Sequence, residues 1–319
     1  AGAMVQPRVV TFLGPRGTFT EAALEQVPGL ETTERVPVAN VAEALSAVSE
    51  GRSDAAMIAI ENSIEGGVTA AQDALAATPG IRILSEHVVS VNFSLVAPAG
   101  TRIEDVRVVA AHPVAWAQCS GWLQRELPGR AHLPAASNVT AAADLTTGTA
   151  QAALSTPTIG HWVDGLDVLA DRIGDNPDAV TRFLFVGRAG EAGEPTGADK
   201  TSLVVELPSD EPGVLLDMLE QFATRGVNLS LIQSRPIGDR LGRYRFVIDA
   251  DGHIRDERVA DALLGLARFS PSVTFLGSYP RADQQHIRVE RRYSDRSFED
   301  ARDWLRGLIA GEPGARSAD

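Results

Sequence analysis

Residues 81–100 read "IRILSEHVVSVNFSLVAPAG", a stretch that is strand-forming almost from end to end. Core strands mostly run about 5–6 residues, so this run is too long for one of them. A chain leaving one sheet to enter another would read this way, which predicts two lobes joined by a crossing segment. The later run "AALSTPTIGHWVDGLDVLADRI", residues 152–173, is the expected return, with a cleft left between two α/β lobes.

Around these runs, from Val9 to Val186, short β-rich segments ("VVTFLG", "AAMIAIE", "VRVVAA", "AALST", "FLFVG") alternate with Ala-rich helical stretches. That rhythm predicts an α/β domain over residues 8–188 with a mainly parallel sheet. Residues 189–200, "AGEAGEPTGADK", lack periodicity and read as a linker. Beyond them "TSLVVELP", "GVLLDMLEQFATRG", "NLSLIQSRPI", "RYRFVIDADG", "RDERVADALLGLARF" and "VTFLGSYPR" follow the order βαββαβ over residues 201–282. This is the ferredoxin-like order, and such modules often pair across a two-fold axis, so a homodimer at least is expected. In the extension, residues 283–319, "SFEDARDWLRGLIAG" spaces Ser297 and Asp300 as a capping box ahead of a face of Phe298, Ala301, Leu305 and Leu308. It predicts a docking helix followed by a disordered tail.

The composition narrows the function. The 319 residues suffice for two or three domains, and 29 Lys plus Arg against 42 Asp plus Glu leave a net charge of −13. That argues against a broad nucleic-acid or anionic-membrane surface, so an anionic ligand must be caught by local donors. The single cysteine, Cys119, rules out an internal disulfide framework, fits a reducing compartment and reads as a small buried hydrophobe. With no apolar run of about 20 residues and no signal pattern, a cytoplasmic protein is expected. Ala1-Gly2-Ala3 reads as an addition ahead of a natural start at Met4, and the Asn-x-Ser/Thr triplets at Asn92, Asn138 and Asn228 read as chance.

Four segments could carry chemistry. "FLGPRGTFTEAA", residues 12–23, sets Gly14 and Gly17 between strand and helix, with Thr18 or Thr20 as N-cap. It is either an anion site built from free amides or a tight turn without a ligand. "IAIENSIEGGV", residues 58–68, places Glu61, Asn62 and Ser63 at a strand's C-terminal end, as a ligand site or as a polar loop closed by Gly66 and Gly67. In "AAHPVAWAQC", residues 110–119, His112 precedes Pro113, with Gln118 a turn later; His112 is an acid, a ligand or a helix cap. No second His or Cys stands at metal-ligand spacing, and no cofactor is expected. Finally "DNPDAVTRFLFVG", residues 175–187, brings Thr181, Arg182 and Phe183 to the mouth of a strand, as a site or as a strand entry with a surface charge.

Taken together, "GPRGTFTEAA", "IAIENSIEGGV", "AAHPVAWAQC" and "TRFLFVG", in that order, resemble the prephenate dehydratases. The second module, with "PGVLLDML" and "IQSRP", is similar to the ACT regulatory domain that follows the catalytic domain in that family. The resemblance covers about residues 8–282. It implies a two-lobed catalytic domain like the type II periplasmic binding proteins, conversion of prephenate to phenylpyruvate, and control by phenylalanine. It further implies Thr181 at the reacting centre, with substrate donors among Thr18, Asn62, Ser63, Gln118 and Arg182 and with Phe183 as a packing anchor. Gly213, Val214 and Leu215 at a helix start, with Gln233, Ser234, Arg235 and Pro236 and the nearby Asn228, match the phenylalanine-binding segments. Two positions depart from the family: Ala111 where Ser often precedes His-Pro, and Gln233 where Glu is usual. The competing expectations are arogenate dehydratase, the same elimination on the amino analogue, and a non-catalytic protein that binds or senses a small acid.

Overall fold

Val9–Leu13 (β1) buries Val10 and Phe12 completely, and Ala55–Asn62 (β3) is buried along nearly its whole length, so its apolar run is continuous and not alternating. These strands are the centre of the first sheet in a computed structural model that describes residues 6–64, 66–238 and 241–316. The expected start at Met4 lies outside the described residues. Between β1 and β3 come the helix Phe19–Glu25 (α1), the strand Glu34–Val38 (β2) and the helix Val41–Ser49 (α2). Asn40 caps α2 by accepting from the Glu43 amide at 2.8 Å, and Val41, Ala44, Leu45 and Val48 form its buried stripe. After β3 the two-residue strand Gly66–Gly67 (β4) and the helix Thr69–Ala77 (α3) lead to Ile81–Ser90 (β5).

The expected crossing is present. β5 ends in the first sheet, residues 91–93 pass over, and Ser94–Pro98 (β6) opens a second sheet. That lobe continues with Val108–Ala111 (β7), Pro113–Gln118 (α4), Ser120–Glu126 (α5), Ala131–Pro134 (β8), Asn138–Ala143 (α6), Ala152–Ser155 (β9) and Leu166–Ala170 (β10). The return comes later than predicted. Residues 152–170 still belong to the second lobe, and the chain goes back through residues 171–179 into Val180–Arg188 (β11).

Strand order is β2-β1-β3-β11-β5 in the first sheet, with β4 beside β3, and β10-β6-β9-β7-β8 in the second. Neither sheet is mainly parallel. β1 runs parallel to β2 and β3, and β7 parallel to β8 and β9, where helical crossovers connect them; β11 runs antiparallel to β3, and β6 antiparallel to β9 and β10. The crossings explain the mixture: a strand arriving from the other lobe has no crossover helix to reverse its direction.

The chain divides into two compact units, residues 1–74 with 87–188 and residues 75–86 with 189–319. The second unit has Asp199–Glu206 (β12), Val214–Ala223 (α7), Leu229–Pro236 (β13), Tyr244–Asp251 (β14), Glu257–Phe269 (α8) and Val273–Pro280 (β15), the expected βαββαβ order. Its antiparallel sheet runs β13-β14-β12-β15 over a core in which Leu203, Met218, Phe222, Ile248, Val259 and Leu266 are buried. Within this unit Glu86 accepts from Lys200 Nζ at 3.1 Å and from the Ala282 amide at 2.8 Å.

Beyond it Asp295–Ile309 (α9) starts a turn earlier than the spacing of Ser297 and Asp300 suggested. Ser294 is the cap, accepting from the Ser297 amide at 3.3 Å, and Asp295 in the first turn suits the helix dipole. Phe298, Ala301 and Leu308 are half-buried, Leu305 is exposed, and polar ties hold the helix: Arg302 pairs with Glu257, and Asp295 accepts from the Glu257 amide at 2.9 Å. Residues 312–316 form no regular structure, and 317–319 lie outside the described residues.

Cys119 is fully buried in the second lobe's core beside Leu123 and Leu154, and burial, helped by the nearby Asp175 carboxylate, pushes its thiol up to about 12. The native protein should therefore resist iodoacetamide at pH 8 for hours and be alkylated within minutes in denaturant, as mass spectrometry would show.

Candidate active site

Thr181 is the second residue of β11, reached directly after the chain returns from the second lobe. Its register partner on β3 is Asn62, and Arg182 faces Glu61 before a bulge shifts the pairing at Phe183. Ser63 closes the end of this ladder, donating its amide to Val180 O and accepting the Val180 amide on Oγ, both at 2.9 Å. Asn62 turns the chain beyond β3 by accepting from the Ile64 amide at 3.1 Å.

A cavity of about 190 Å³ opens at this junction. From the first lobe Phe19, Asn62, Ile64, Val180 and Thr181 line it, from the two crossings Val91, Phe93 and Ala179, and from the second lobe His112, Val114, Ala115, Gln118 and Asn138. Phe19 meets Phe93 edge-on, ring centroids 5.9 Å apart, so an α1 side chain rests on the first crossing. The second crossing is tied to the second lobe as well. The Asp175 amide donates to Gln118 O at 2.7 Å, and the Asp175 carboxylate takes the Gly121 and Trp122 amides at 2.9 and 3.2 Å, capping the start of α5.

The structure thus brings together Asn62, Gln118 and Thr181, with His112 beside them. His112 is the cap of α4: its Nδ1 accepts from the Val114 amide at 3.2 Å, which leaves the ring proton of neutral His112 on Nε2. Three expected donors stand elsewhere. Ser63 serves the β3–β11 ladder. Arg182 is only 6% exposed and does not line the cavity; its Nη1 pairs with Glu61 Oε1 at 3.2 Å. Thr18 is the cap residue of α1, but its hydroxyl makes no capping bond, and Oγ1 is buried without a partner. At the same junction the Gly17 amide is held by Glu21 Oε2 at 2.7 Å, so that donor is already engaged. Phe183 is buried, as a packing anchor should be.

The motifs did not flag Asn138, the first residue of α6. It lines the cavity, its Oδ1 is buried without a partner, and Ser155 Oγ fixes its backbone carbonyl at 2.7 Å. The available signal was the helix start itself, where Ser137 caps by accepting from the Thr140 amide at 3.0 Å. Nearby in sequence, buried Thr156 also has an unpartnered hydroxyl. Among the described residues the cavity lining contains no Lys or Arg; it is mostly apolar, and its polar groups are His112, the Thr181 hydroxyl and the amides of Asn62, Gln118 and Asn138. Among the described residues no group of three or more His, Cys, Asp or Glu side chains could hold a metal ion, and no helix is long and apolar enough to cross a membrane.

In the second unit Gly213, in the left-handed region at φ 92°, precedes α7, whose first residue Val214 is buried while Leu215 is 42% exposed. Asn228 Nδ2 donates to Asp251 Oδ2 at 2.8 Å. Gln233, Ser234, Arg235 and Pro236 lie on β13, an edge strand, with Gln233 and Arg235 half-buried and Ser234 and Pro236 exposed in alternation.

The family model for prephenate dehydratase matches residues 10–191, and that for the ACT domain residues 201–268. A prephenate dehydratase of Mycolicibacterium smegmatis is 41% identical over 319 residues, covering 97% of this chain and 100% of that one. The crystal structure of the Arthrobacter aurescens prephenate dehydratase in complex with L-Phe is 51% identical with a TM-score of 0.91, covering 95% of this chain and 100% of its own. A quorum-quenching acylase, GqqA, is also similar at 28% identity and a TM-score of 0.77, covering 87% of this chain and 100% of its own.

The geometry separates Thr181 from Arg182. Arg182→Met strands the Glu61 carboxylate and should cost about 1–3 kcal/mol in a denaturant titration, whereas Thr181→Val, at the half-buried cavity wall, should change stability by less than about 1 kcal/mol.

Proposed function

The chain belongs to the prephenate dehydratase family, and from that premise we propose that its cleft removes carbon dioxide and the ring hydroxyl of prephenate, giving phenylpyruvate on the way to phenylalanine, with Thr181 at the reacting centre. The carrying observation is Thr181 in the cavity wall opposite Asn62, among amide donors from both lobes.

The electron pair of the breaking carbon–carboxylate bond moves into the ring as carbon dioxide leaves. The ring carbon–oxygen bond breaks at the far end of the conjugated system, and the departing oxygen takes a proton to leave as water. Aromatisation drives the reaction, so the protein chiefly holds the ring in place and supports the departing oxygen. Thr181 donates a hydrogen bond to that oxygen; a neutral hydroxyl is too weak an acid to deliver the proton before the bond breaks. His112, whose Nδ1 accepts from the Val114 amide, is a further polar group in the cavity wall. Asn62, Gln118 and Asn138 supply neutral polar contacts to the two carboxylates, each charge-assisted bond contributing about 1.5–3 kcal/mol. Phe19 and Phe93 offer the cyclohexadiene ring an apolar wall.

In the second unit phenylalanine is the proposed regulator, held by the start of α7 and by β13. The ACT-domain match and the L-Phe complex of the Arthrobacter protein support this. Among the described residues β13 is the last strand of its sheet, and Ile232 on it is 44% exposed, which suits a second copy and at least a dimer through this module. The single buried cysteine suits the cytoplasm.

The purified protein should release phenylpyruvate from prephenate, read by its absorbance in alkali, and folded Thr181→Ala should lose at least about 100-fold in kcat. No release from prephenate but release of phenylalanine from arogenate would reassign the substrate; tight binding with no turnover of either would leave only a binding protein. Adding phenylalanine should change the rate over the range where calorimetry detects its binding, and an unchanged rate at saturation would sink the regulatory reading.

A further inference from the structure

We propose that Trp162 is a positioning residue, clasped between Arg16 and Gly17 across the two lobes, and that this clasp sets the spacing of the cleft walls for substrate. The inference rests on the dehydratase reading and adds a residue to it.

Trp162 belongs to the second lobe. It follows the turn Ile159–His161, and its amide donates to Ile159 O at 2.9 Å. Ile159 is buried among Val96, Ala110 and Ala153, and Val163 packs against the same cluster, so residues on both sides of Trp162 are anchored in that lobe's core. The indole itself does not enter that core and is 39% exposed.

It lies on the first lobe instead. A Cβ built on Gly17 would fall 2.7 Å from Trp162 Cδ1 and 2.9 Å from Cγ, so the ring occupies the space that a side chain at Gly17 would need. Gly17 also has φ +85°, a backbone state that other residues adopt at a cost. Arg16 sits over the same ring, its guanidinium carbon 4.9 Å from the centroid, within range of a cation–π contact.

Both jaws of this clasp are held by one buried carboxylate. Glu21, 2% exposed, accepts from Arg16 Nε and Nη2 at 3.2 and 3.0 Å on Oε1, and from the Gly17 amide at 2.7 Å on Oε2. The buried Glu21 carboxylate is thus aimed at both contact residues of the loop, although the Arg16 side chain itself is half exposed. The chain then continues into Thr18 and Phe19, and Phe19 lines the cavity. On the other side, β9 leads into the Trp162 turn, and Ser155 at its end holds the carbonyl of Asn138 in the opposite wall. Trp162 therefore joins the segment that carries Phe19 to the one whose Ser155 fixes the Asn138 carbonyl, and its loss should loosen both walls while leaving Thr181 in place.

Steady-state kinetics on prephenate test this with Trp162→Ala, Trp162→Phe and Arg16→Met. Trp162→Ala should raise KM about tenfold with kcat changed less than about threefold, the pattern of lost uniform binding. Trp162→Phe, which keeps a ring over Gly17, should recover most of that loss, and Arg16→Met should show a smaller rise in KM. Acrylamide quenching, with Trp162→Phe subtracted from the parent to isolate this indole, should report greater access in Arg16→Met. KM within twofold of the parent in folded Trp162→Ala would overturn the proposal, as would equal impairment of the Ala and Phe variants with a matching fall in melting temperature. If Trp162→Ala does not fold, Arg16→Met carries the kinetic test, and an unchanged KM overturns the proposal. If the parent does not turn over prephenate, the dehydratase reading fails separately, and an indole no better shielded in the parent than in Arg16→Met would dispose of the clasp itself.

Discussion

Antiparallel pairing of β11 with β3 is the constraint on which the site depends. It seals the first lobe after the chain returns, and its register brings Thr181 beside Asn62, two residues separated by most of the catalytic domain. Shifting that register by one residue would turn Thr181 away from the cavity and bring Arg182 toward it. Ser63, the Arg182–Glu61 pair and the bulge at Phe183 all act at the end of this ladder, where fraying would otherwise begin.

Electrostatics make this a demanding place for a dianion. The chain carries a net charge of −13, and among the described residues the cavity wall contains no Lys or Arg. In the proposed site, neutral polar groups would hold the substrate without a strong fixed charge on the carboxylate about to leave. A carboxylate gripped as tightly before as during bond cleavage would gain nothing in rate. Burying Arg182 against Glu61, outside the cavity wall, agrees with that requirement.

Where the structure departs from expectations read along the chain, long-range pairing is the cause. Arg182 next to Thr181 suggested a substrate cation, yet its partner Glu61 lies 121 residues away and decides its orientation. Ser63, read as a ligand donor, stands at the end of the β3–β11 ladder, where its Oγ accepts the Val180 amide. Two serines compete to cap α9, and Ser294 prevails with Asp295 in the first turn, its carboxylate engaged by α8. The mainly parallel sheet expected from alternating strands and helices becomes mixed because two strands arrive from the opposite lobe.

The order and type of most elements, the crossing after residue 90, the βαββαβ module, the cap at His112 before Pro113 and the burial of Cys119 were all legible in the amino-acid sequence. Each depends on apolar periodicity or on contacts within a few residues, and such interactions leave a local pattern. The segments holding Asn62, Gln118 and Thr181 stood open between a site and a plain turn or strand entry until their joint resemblance to one family singled them out. Only the tertiary structure decided the direction of β11, the inward place of Asn138, the partner of Arg182 and the seat of Trp162 on Gly17. Those depend on which polar group finds which partner once distant strands and lobes have packed, and a side chain's neighbours across more than a hundred residues have no signature in the residues beside it.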